Sequence, residues 1–413
     1  MKKKIFFGVL LAVFVLLTVP INSAIKSDFV ENKQEVNKNE IDEKQIKSNY
    51  DQKINLLMKL CRVPSLSICI IRNNTILLSK GYGFYDIKNS KKASNETIYP
   101  AGSITKTVTA TAIMQLIENE SYNLCLDDNV SNYLPFDLKN PKYPDINITF
   151  RMLLAHQSSL SDIYVDFPLY FVILGYPHEW LKEYVTPGGD IYNPKVWRDF
   201  APGENVNYSS VGMEILGYLV ELLSGQTYAD YCEEHIFQPL DMNNSGFHLS
   251  DFDYNKIAIP YTTLFGLYIK LPFIDSKADA HGGLYTTVFD LSHYLLAYMN
   301  GGEYNGTRIL KKETIENITT LQYPNSTDYI FRYGLGWWFW NNTNLNGEWC
   351  GGHAGDTLGG SANMVIRFSD NVGIIYFWNQ FKFIRMYLNL DPLLDYFSLK
   401  IEKYLFNWAD ELK

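Results

Sequence analysis

The chain has 413 residues, 46% of them hydrophobic, and its formal net charge at pH 7 is −9. This length and apolar content are ample for a sizeable core, and the acidic balance argues against nucleic acid as a partner. No internal repeat is evident, so one large folded domain is the simplest organisation.

The first 24 residues have the layout of a secretory signal peptide. Three lysines at 2–4 precede an apolar run from Ile5 to Val19, which is shorter than a comfortable membrane span. Asn22 is a poor residue three positions before a cut after Ala24, so an uncleaved anchor is the alternative. In both cases we expect the folded part outside the cytoplasm, either secreted or attached to a membrane through residues 5–19.

Residues 25–47 are rich in Lys, Glu and Asn, and we interpret them as a flexible tether. The folded domain is then placed at 48–413. Apolar residues at helical spacing predict an opening helix from Ile46 to Cys61. Two apolar stretches, Leu66–Ile71 and Thr75–Ser79, are separated by a short polar turn and predict a β-hairpin.

A serine and a lysine, Ser103 and Lys106, stand one helical turn apart at the start of an apolar stretch that runs from Thr107 to Ile117. Residues i and i+3 of a helix project from the same face, so Lys106 can reach the Ser103 hydroxyl and take its proton. This Ser-x-x-Lys arrangement suggests an acyl-transfer enzyme. Ser103 would also lie at the positive end of a buried helix, where backbone N–H groups can stabilise an oxyanion. The alternative is that Ser103 is only a helix N-cap.

Two further segments carry candidate functional residues. Tyr208 follows a Pro-Gly pair and precedes an apolar helical pattern, Met213–Leu223, at a position where a phenol can face a cleft. His353 lies in the glycine-rich run Gly351–Gly360, where glycines let a substrate backbone approach a strand closely. Each is weak alone, because Tyr208 is one of 30 tyrosines and a histidine in such a run can simply be solvated.

The C-terminal part repeats the hairpin pattern. Ala362–Phe368 and Val372–Trp378 predict a second hairpin, and a helix is predicted from about Asp391 to Trp408. Mostly helical patterns, such as Thr287–Met299, lie between the two hairpins. We therefore predict an α+β fold in which one antiparallel sheet is built from N- and C-terminal strands and flanked by helices, with a mostly helical insertion at about 118–280.

The three motifs, in their order along the chain, closely resemble those of the β-lactamase-related serine hydrolases. They are Ser-x-x-Lys at 103–106, Tyr-Ser-x at 208–210 and His-x-Gly at 353–355. This family includes class C β-lactamases, low-molecular-weight penicillin-binding proteins, D-aminopeptidases and family VIII esterases. The resemblance covers roughly Leu56 to Trp408. Its secondary landmarks are Gly81–Asp86, Leu153–Leu160, His281–Thr287 and Tyr333–Trp337.

The resemblance implies a role for each matched residue. Ser103 is the nucleophile that becomes acylated, and Lys106 and Tyr208 share its proton, with Tyr208 also serving as acid toward the leaving group. A phenol with a pKa near 10 acts as a base only if a cation favours its phenolate, and Lys106 supplies such a cation. Whether Lys106 or Tyr208 accepts the first proton stays open. The oxyanion hole maps to the backbone N–H groups of Ser103 and Asp356. His353 takes the place of the lysine in the Lys-Thr-Gly motif of β-lactamases, and no metal or cofactor is implied.

The chain departs from the β-lactamase pattern at the substrate side of the site. His353 is largely neutral at pH 7 and cannot be a permanent anchor for a carboxylate. Ser210 stands where β-lactamases have an asparagine, so an amide that would bind an acyl side chain is lost. Asp356 replaces a small neutral residue, and we hypothesise that it favours substrates with a free amine. Gly355, between them, is a candidate substrate-binding position.

These departures favour an exported esterase or peptidase that acts on a small molecule or a peptide. The alternatives are a penicillin-binding or β-lactam-hydrolysing protein and an acylated sensor that does not turn over.

Other residue groups carry less specific predictions. The cysteines are widely spaced and odd in number, so we interpret them as mostly buried apolar residues and allow one or two bridges. His156 is assigned a structural role. His178-Glu179 begins like a zinc-protease motif, but Lys182 occupies the second histidine position. Trp337, Trp338 and Trp340 are expected in the core or a cleft wall. Sequons that predict surface glycosylation start at Asn73, Asn95, Asn119, Asn129, Asn147, Asn243, Asn305, Asn317, Asn325 and Asn341.

Overall fold

The computed structural model describes residues 43–162, 178–264, 266–273, 275, 279–323, 332–381 and 392–412. The chain divides into two units, Met1–Gln45 and Ile46–Lys413. The predicted signal or anchor segment at 1–24, most of the predicted tether and the sequon at Asn325 lie outside the described residues. None of the helices in the described ranges combines the length and apolar composition needed to cross a membrane.

The first described element is helix α1, Glu43–Cys61, which confirms the predicted opening helix. It begins within the segment 25–47, so the predicted tether ends earlier than expected. One face of the helix is apolar and buried, with Tyr50, Ile54 and Leu57 among the buried residues. This is the spacing that places residues on a single helical face.

An antiparallel sheet of eight strands forms the centre of the described structure. Its strands are β1 (Ser65–Arg72), β2 (Thr75–Asp86), β3 (Lys91–Lys92), β10 (Arg332–Tyr333), β11 (Trp338–Asn342), β12 (Glu348–Thr357), β13 (Gly360–Arg367) and β14 (Val372–Trp378). Their order across the sheet is β10-β11-β12-β13-β14-β1-β2-β3. The strands β1 and β14 are neighbours, so the two ends of the chain are joined in one sheet, as predicted. The two predicted hairpins are confirmed as β1–β2 and β13–β14. Asn73 and Asn74 have positive φ angles of 49° and 61°, which a tight two-residue hairpin turn favours.

Helices and short strand pairs occupy the chain between β3 and β10. The predicted helices at 213–223 and 287–299 are both present, and the helical region extends past the predicted limit of 280 to Ile318. The helices are α2 (Thr105–Glu118), α3 (Phe150–Leu154), α4 (His178–Val185), α5 (Ser210–Ser224), α6 (Tyr228–Cys232), α7 (Asp279–Gly282), α8 (Val288–Met299), α9 (Lys312–Ile318) and, after the sheet, α10 (Pro392–Glu411). The short strands are β4 (Tyr99–Pro100), β5 (Tyr261–Leu264), β6 (Leu267–Lys270), β7 (Tyr285–Thr286), β8 (Glu303–Tyr304) and β9 (Thr307–Arg308).

The sheet is covered on both faces, and the alternation of its strands shows how. On β1, Leu66, Ile68 and Ile70 belong to the apolar cluster that contains the terminal helices α1 and α10. The intervening Cys69 and Ile71 belong to the larger cluster formed with the helical region. Successive side chains of a strand point to opposite faces, so a strand buried on both sides reads as a continuous apolar run. The predicted α+β class is therefore confirmed.

The cysteines form no disulfide bond with one another. All five lie within the described residues, and four of them are buried, whereas Cys125 is exposed. The interpretation of most of them as small buried apolar residues is confirmed, and the one or two bridges that the sequence allowed are absent. A core of this size does not need covalent cross-links.

Candidate active site

Ser103 and Lys106 meet where a short turn enters helix α2. Ser103 lies in the 3₁₀ turn Gly102–Ile104, and neither this turn nor α2 is capped by a side chain, so Ser103 does not act as an N-cap. Instead, Lys106 Nζ lies 3.0 Å from Ser103 Oγ, where the charged amine donates a hydrogen bond and the neutral amine can accept one. The i, i+3 spacing thus brings the amine to the hydroxyl, as expected from the sequence.

The Lys106 side chain is completely buried, with 0% of its surface exposed. Burial disfavours the charged ammonium and lowers the pKa of Lys106 to about 7, although the carboxylates of Asp162 and Glu214 act in the opposite direction. A second hydrogen bond joins Lys106 Nζ to the main-chain carbonyl oxygen of His281 at 2.7 Å. The amine is therefore held between two oxygens and can lose its proton near neutral pH.

Tyr208 lies two residues before α5 and packs over the amine of Lys106. Lys106 Nζ is 4.9 Å from the centre of the Tyr208 ring. Burial raises the pKa of Tyr208 well above 10, a hydrogen bond with Ser103 lowers it only in part, and the negative charges of Asp162 and Asp356 raise it further. The phenol is therefore protonated at neutral pH, which fits a proton donor better than a proton acceptor.

His353 faces Tyr208 from strand β12. The two rings are 6.4 Å apart, and the Trp338 ring lies 4.2 Å from that of His353. His353 Nδ1 is 2.7 Å from the carbonyl oxygen of Ala354, so Nδ1 carries the proton and Nε2 is an acceptor. Nε2 is buried and has no hydrogen-bond partner among the described residues. Burial, followed by the positive charge of Lys106, lowers the pKa of His353 to about 3, so the ring is neutral at physiological pH.

Strand β12 passes directly beside the turn that holds the nucleophile. A Cβ atom added to Gly355 would lie 2.0 Å from the oxygen of Ala101 and 2.8 Å from the nitrogen of Ser103. A Cβ atom added to Gly102 would lie 3.1 Å from the nitrogen of Asp356. The two N–H groups of the predicted oxyanion hole therefore border the same narrow space. Gly355 is required there by the close approach of the two backbones.

The Asp356 carboxylate is turned toward the neighbouring strand. Its cross-strand partner is Ser361, whose hydroxyl donates a hydrogen bond to Asp356 Oδ1. A carboxylate aimed at a developing oxyanion would repel it, and this arrangement turns the carboxylate away. The charge still reaches the site, because it contributes to the raised pKa of Tyr208.

Ser210 is the first residue of α5, and its contacts involve its backbone. Its N–H group donates to both carboxylate oxygens of Asp162 at 2.8 Å, and the N–H group of Val211 donates to Asp162 Oδ1 at 3.1 Å. Asp162 therefore neutralises the positive end of α5. Only 6% of the Ser210 surface is exposed, so a substrate-binding role for its side chain stays a prediction.

The remaining sequence candidates separate into structural and site positions. His156 adopts a positive φ of 57°, and its Nδ1 accepts the N–H of Ser209 at 3.2 Å, which fits the structural role assigned to it. Trp337 is buried and stacks on Tyr298 at 4.6 Å, whereas Trp338 borders His353. Within the part of the chain that the structure describes, no group of three or more His, Cys, Asp or Glu side chains is arranged to hold a metal ion.

Sequence reasoning missed the residues that surround Lys106 from distant segments. Asp162, Glu214 and the carbonyl of His281 all act on its amine. His281 is the first residue of the landmark His281–Thr287, which could have drawn attention to it. Asp162 and Glu214 belong to none of the motifs that carry the resemblance.

A family model described as Beta-lactamase matches residues 50–394. The chain belongs to the beta-lactamase family. The match includes Ser103, Lys106, Tyr208 and His353, so the clustered residues all lie within the family region. This membership gives the chain the beta-lactamase fold.

Individual beta-lactamase-family relatives are distant. "Protein flp" of Staphylococcus aureus (strain MW2) is 27% identical over 322 residues, which are 77% of this chain and 60% of that protein. The chain thus spans less than two thirds of the length of this relative. A "Putative D-alanyl-D-alanine carboxypeptidase" of Escherichia coli (strain K12) is 26% identical over 311 residues, 66% of this chain and 68% of that protein. The octameric penicillin-binding protein homologue from Pyrococcus abyssi superposes with a TM-score of 0.68 at 27% identity, over 87% of this chain and 77% of that chain.

Proposed function

We propose that this protein is a serine hydrolase that cleaves an ester or an amide bond through an acyl intermediate on Ser103. The observation that carries the proposal is the 3.0 Å contact between Ser103 Oγ and the buried amine of Lys106. Because the pKa of Lys106 is lowered to about 7, a large share of this amine is neutral at physiological pH and can accept the serine proton.

The geometry supports an order for the proton transfers. Neutral Lys106 takes the proton as Ser103 Oγ attacks the carbonyl carbon, and the oxyanion faces the N–H groups of Ser103 and Asp356. The protonated phenol of Tyr208 then gives its proton to the leaving alcohol or amine and is reprotonated from Lys106. Water attacks the acyl ester in the second half of the reaction, and the same groups work in reverse.

The preferred substrate is an ester or peptide without a carboxylate next to His353. A carboxylate offers only acceptor oxygens, and His353 Nε2 is itself an acceptor on a neutral ring. The two lone pairs repel each other, so the site disfavours β-lactams and peptides that end in D-alanyl-D-alanine. The Asp356 charge supports substrates with a free amine.

The place of action is part of the same proposal. The lysines at 2–4 and the apolar run Ile5–Val19 support export, with the chain either secreted or held at a membrane by this run. Glycosylation at the sequons follows only in a cell that glycosylates exported proteins.

Labelling and turnover measured on the same preparation test the proposal. Purified full-length protein and Ser103→Ala are treated with a fluorophosphonate probe, and then with p-nitrophenyl esters, a D-aminoacyl p-nitroanilide and nitrocefin. We expect labelling that is lost in Ser103→Ala, turnover of an ester or anilide, and little turnover of nitrocefin. Labelling without turnover would identify an acylated sensor, and an unlabelled wild type would rule out Ser103 as the nucleophile.

A further inference from the structure

The amine of Lys106 needs a defined orientation as well as a lowered pKa. A neutral amine has two N–H bonds and one lone pair, and only the lone pair can accept the Ser103 proton. The His281 carbonyl oxygen, 2.7 Å from Nζ, takes one N–H bond. The second N–H bond and the lone pair then remain, and the lone pair can face Ser103 Oγ at 3.0 Å.

The His281 carbonyl is in turn fixed by a buried carboxylate on α5. Glu214 has 0% of its surface exposed. Its Oε1 atom accepts the main-chain N–H of His281 at 2.8 Å and lies 2.6 Å from His281 Nδ1. His281 is therefore held at both its backbone and its ring by one oxygen atom. Hydrogen bonds to an ionised carboxylate are stronger than those between neutral groups.

We propose that Glu214 is a positioning residue, which locks His281 so that the His281 carbonyl holds the amine of Lys106 against Ser103. This inference rests on the proposed function, because it assigns Glu214 a part in acylation of Ser103. Glu214 does not touch the reacting atoms.

The second oxygen of Glu214 provides a matched control. Oε2 has no hydrogen-bond partner among the described residues and lies 3.9 Å from His178 Nε2. His178 is bound elsewhere, because its Nδ1 atom is 2.6 Å from Glu221 Oε2. Both histidines thus border the same buried carboxylate, but His281 is the one whose carbonyl oxygen accepts a hydrogen bond from Lys106.

The test compares Glu214→Ala, Glu214→Gln and His178→Asn in the full-length protein. The rate of Ser103 labelling by the fluorophosphonate is measured together with kcat and KM for the best p-nitrophenyl ester and the thermal unfolding temperature of each variant. Glu214→Ala is expected to lower kcat by about 10- to 100-fold with KM changed by less than about threefold, since a small misplacement of a reacting group is enough for such a loss. Glu214→Gln keeps an acceptor oxygen and is expected to retain several-fold more activity than Glu214→Ala. His178→Asn is expected to stay within about twofold of the wild type.

The pH profile separates positioning from general damage. Asp279 and His178 also face the Glu214 carboxylate, and burial, followed by the charge of Glu214, raises the pKa of Asp279. Asp162 and Glu214 are the carboxylates that oppose the lowered pKa of Lys106. Removing the negative charge in Glu214→Gln lowers the pKa of Lys106 further, so the acidic limb of the labelling rate should move to lower pH. If Glu214→Ala does not fold, Glu214→Gln alone decides the question. Equal losses in Glu214→Ala and His178→Asn, or an unmoved acidic limb in Glu214→Gln, would overturn the inference. An unlabelled wild type would instead overturn the proposed function.

Discussion

The rate at which Ser103 is acylated should follow the deprotonation of Lys106. A lysine with an ordinary pKa near 10.4 is neutral in only about one molecule in 2,500 at pH 7. Burial of Lys106 lowers its pKa to about 7, so about half of the molecules hold a neutral amine at that pH. The labelling rate should therefore rise about tenfold between pH 6 and pH 8 and level off above, as a single titration with this midpoint requires.

The assay is the second-order rate of fluorophosphonate labelling at constant ionic strength over this pH range. Lys106→Arg should abolish labelling at every pH, because a guanidinium does not lose its proton. Tyr208→Phe should keep the midpoint, because the raised pKa of Tyr208 leaves its phenol protonated throughout. A midpoint near pH 10, a flat profile, or a limb that disappears in Tyr208→Phe would refute Lys106 as the first proton acceptor.

Four further substitutions test the site. Folding lowers the pKa of Lys106, so the folded state binds fewer protons than the unfolded state between pH 7 and about 10. The free energy of unfolding therefore rises with pH in that window, and the cost of burying the charged amine is fully present below pH 7. Lys106→Met should therefore raise the free energy of unfolding at pH 6, measured in urea, by a few kcal/mol at about 1.4 kcal/mol per pKa unit, and an unchanged or lower value would contradict the burial argument. Gly355→Ala should reduce Ser103 labelling by more than about 100-fold, since its Cβ would lie 2.0 Å from the oxygen of Ala101; wild-type labelling would show that the close approach is unnecessary. His353→Lys should shift the pH–rate profile and improve turnover of carboxylate-bearing esters, and an identical profile would place His353 outside the proton network. Asp356→Ala should reduce the preference for amine-bearing over neutral esters, and an unchanged preference would remove Asp356 from substrate selection.

Local patterns predicted the parts of the fold that neighbouring residues determine. The two hairpins follow from apolar alternation and from turns such as Asn73-Asn74, and the contact between Ser103 and Lys106 follows from the pitch of a helix. The helix predicted at 287–299 is present, although it lies beyond the predicted end of the helical insertion at about 280. No local pattern gives the register that joins β1 to β14 across 300 residues of chain. The hairpin patterns near both ends of the chain predicted only that these strands share one sheet.

The environment of Lys106 could not be predicted, because it depends on contacts between distant segments. Glu214 and His281 are 67 residues apart, and Asp162 and Ser210 are 48 residues apart. Nothing in a single sequence pairs such residues, and a buried carboxylate on an apolar helix can equally be a structural ion pair. The burial that lowers the pKa of Lys106 is likewise a tertiary property of the helices packed around α2.

Helix α5 links the two sides of the candidate site. Asp162 binds the backbone of its first two residues, which begin two positions after Tyr208, and Glu214 projects from its next turn toward His281. The two carboxylates that oppose the lowering of the Lys106 pKa are therefore the same two groups that fix the position of this helix and of His281. Burial is still the stronger effect, because the pKa of Lys106 falls from 10.5 to about 7 in their presence. Loss of either carboxylate should consequently keep the Lys106 amine neutral at lower pH. The same loss should also loosen α5 or His281, which hold the amine against Ser103. A substitution at Asp162 or Glu214 that widens the active pH range should therefore also lower turnover.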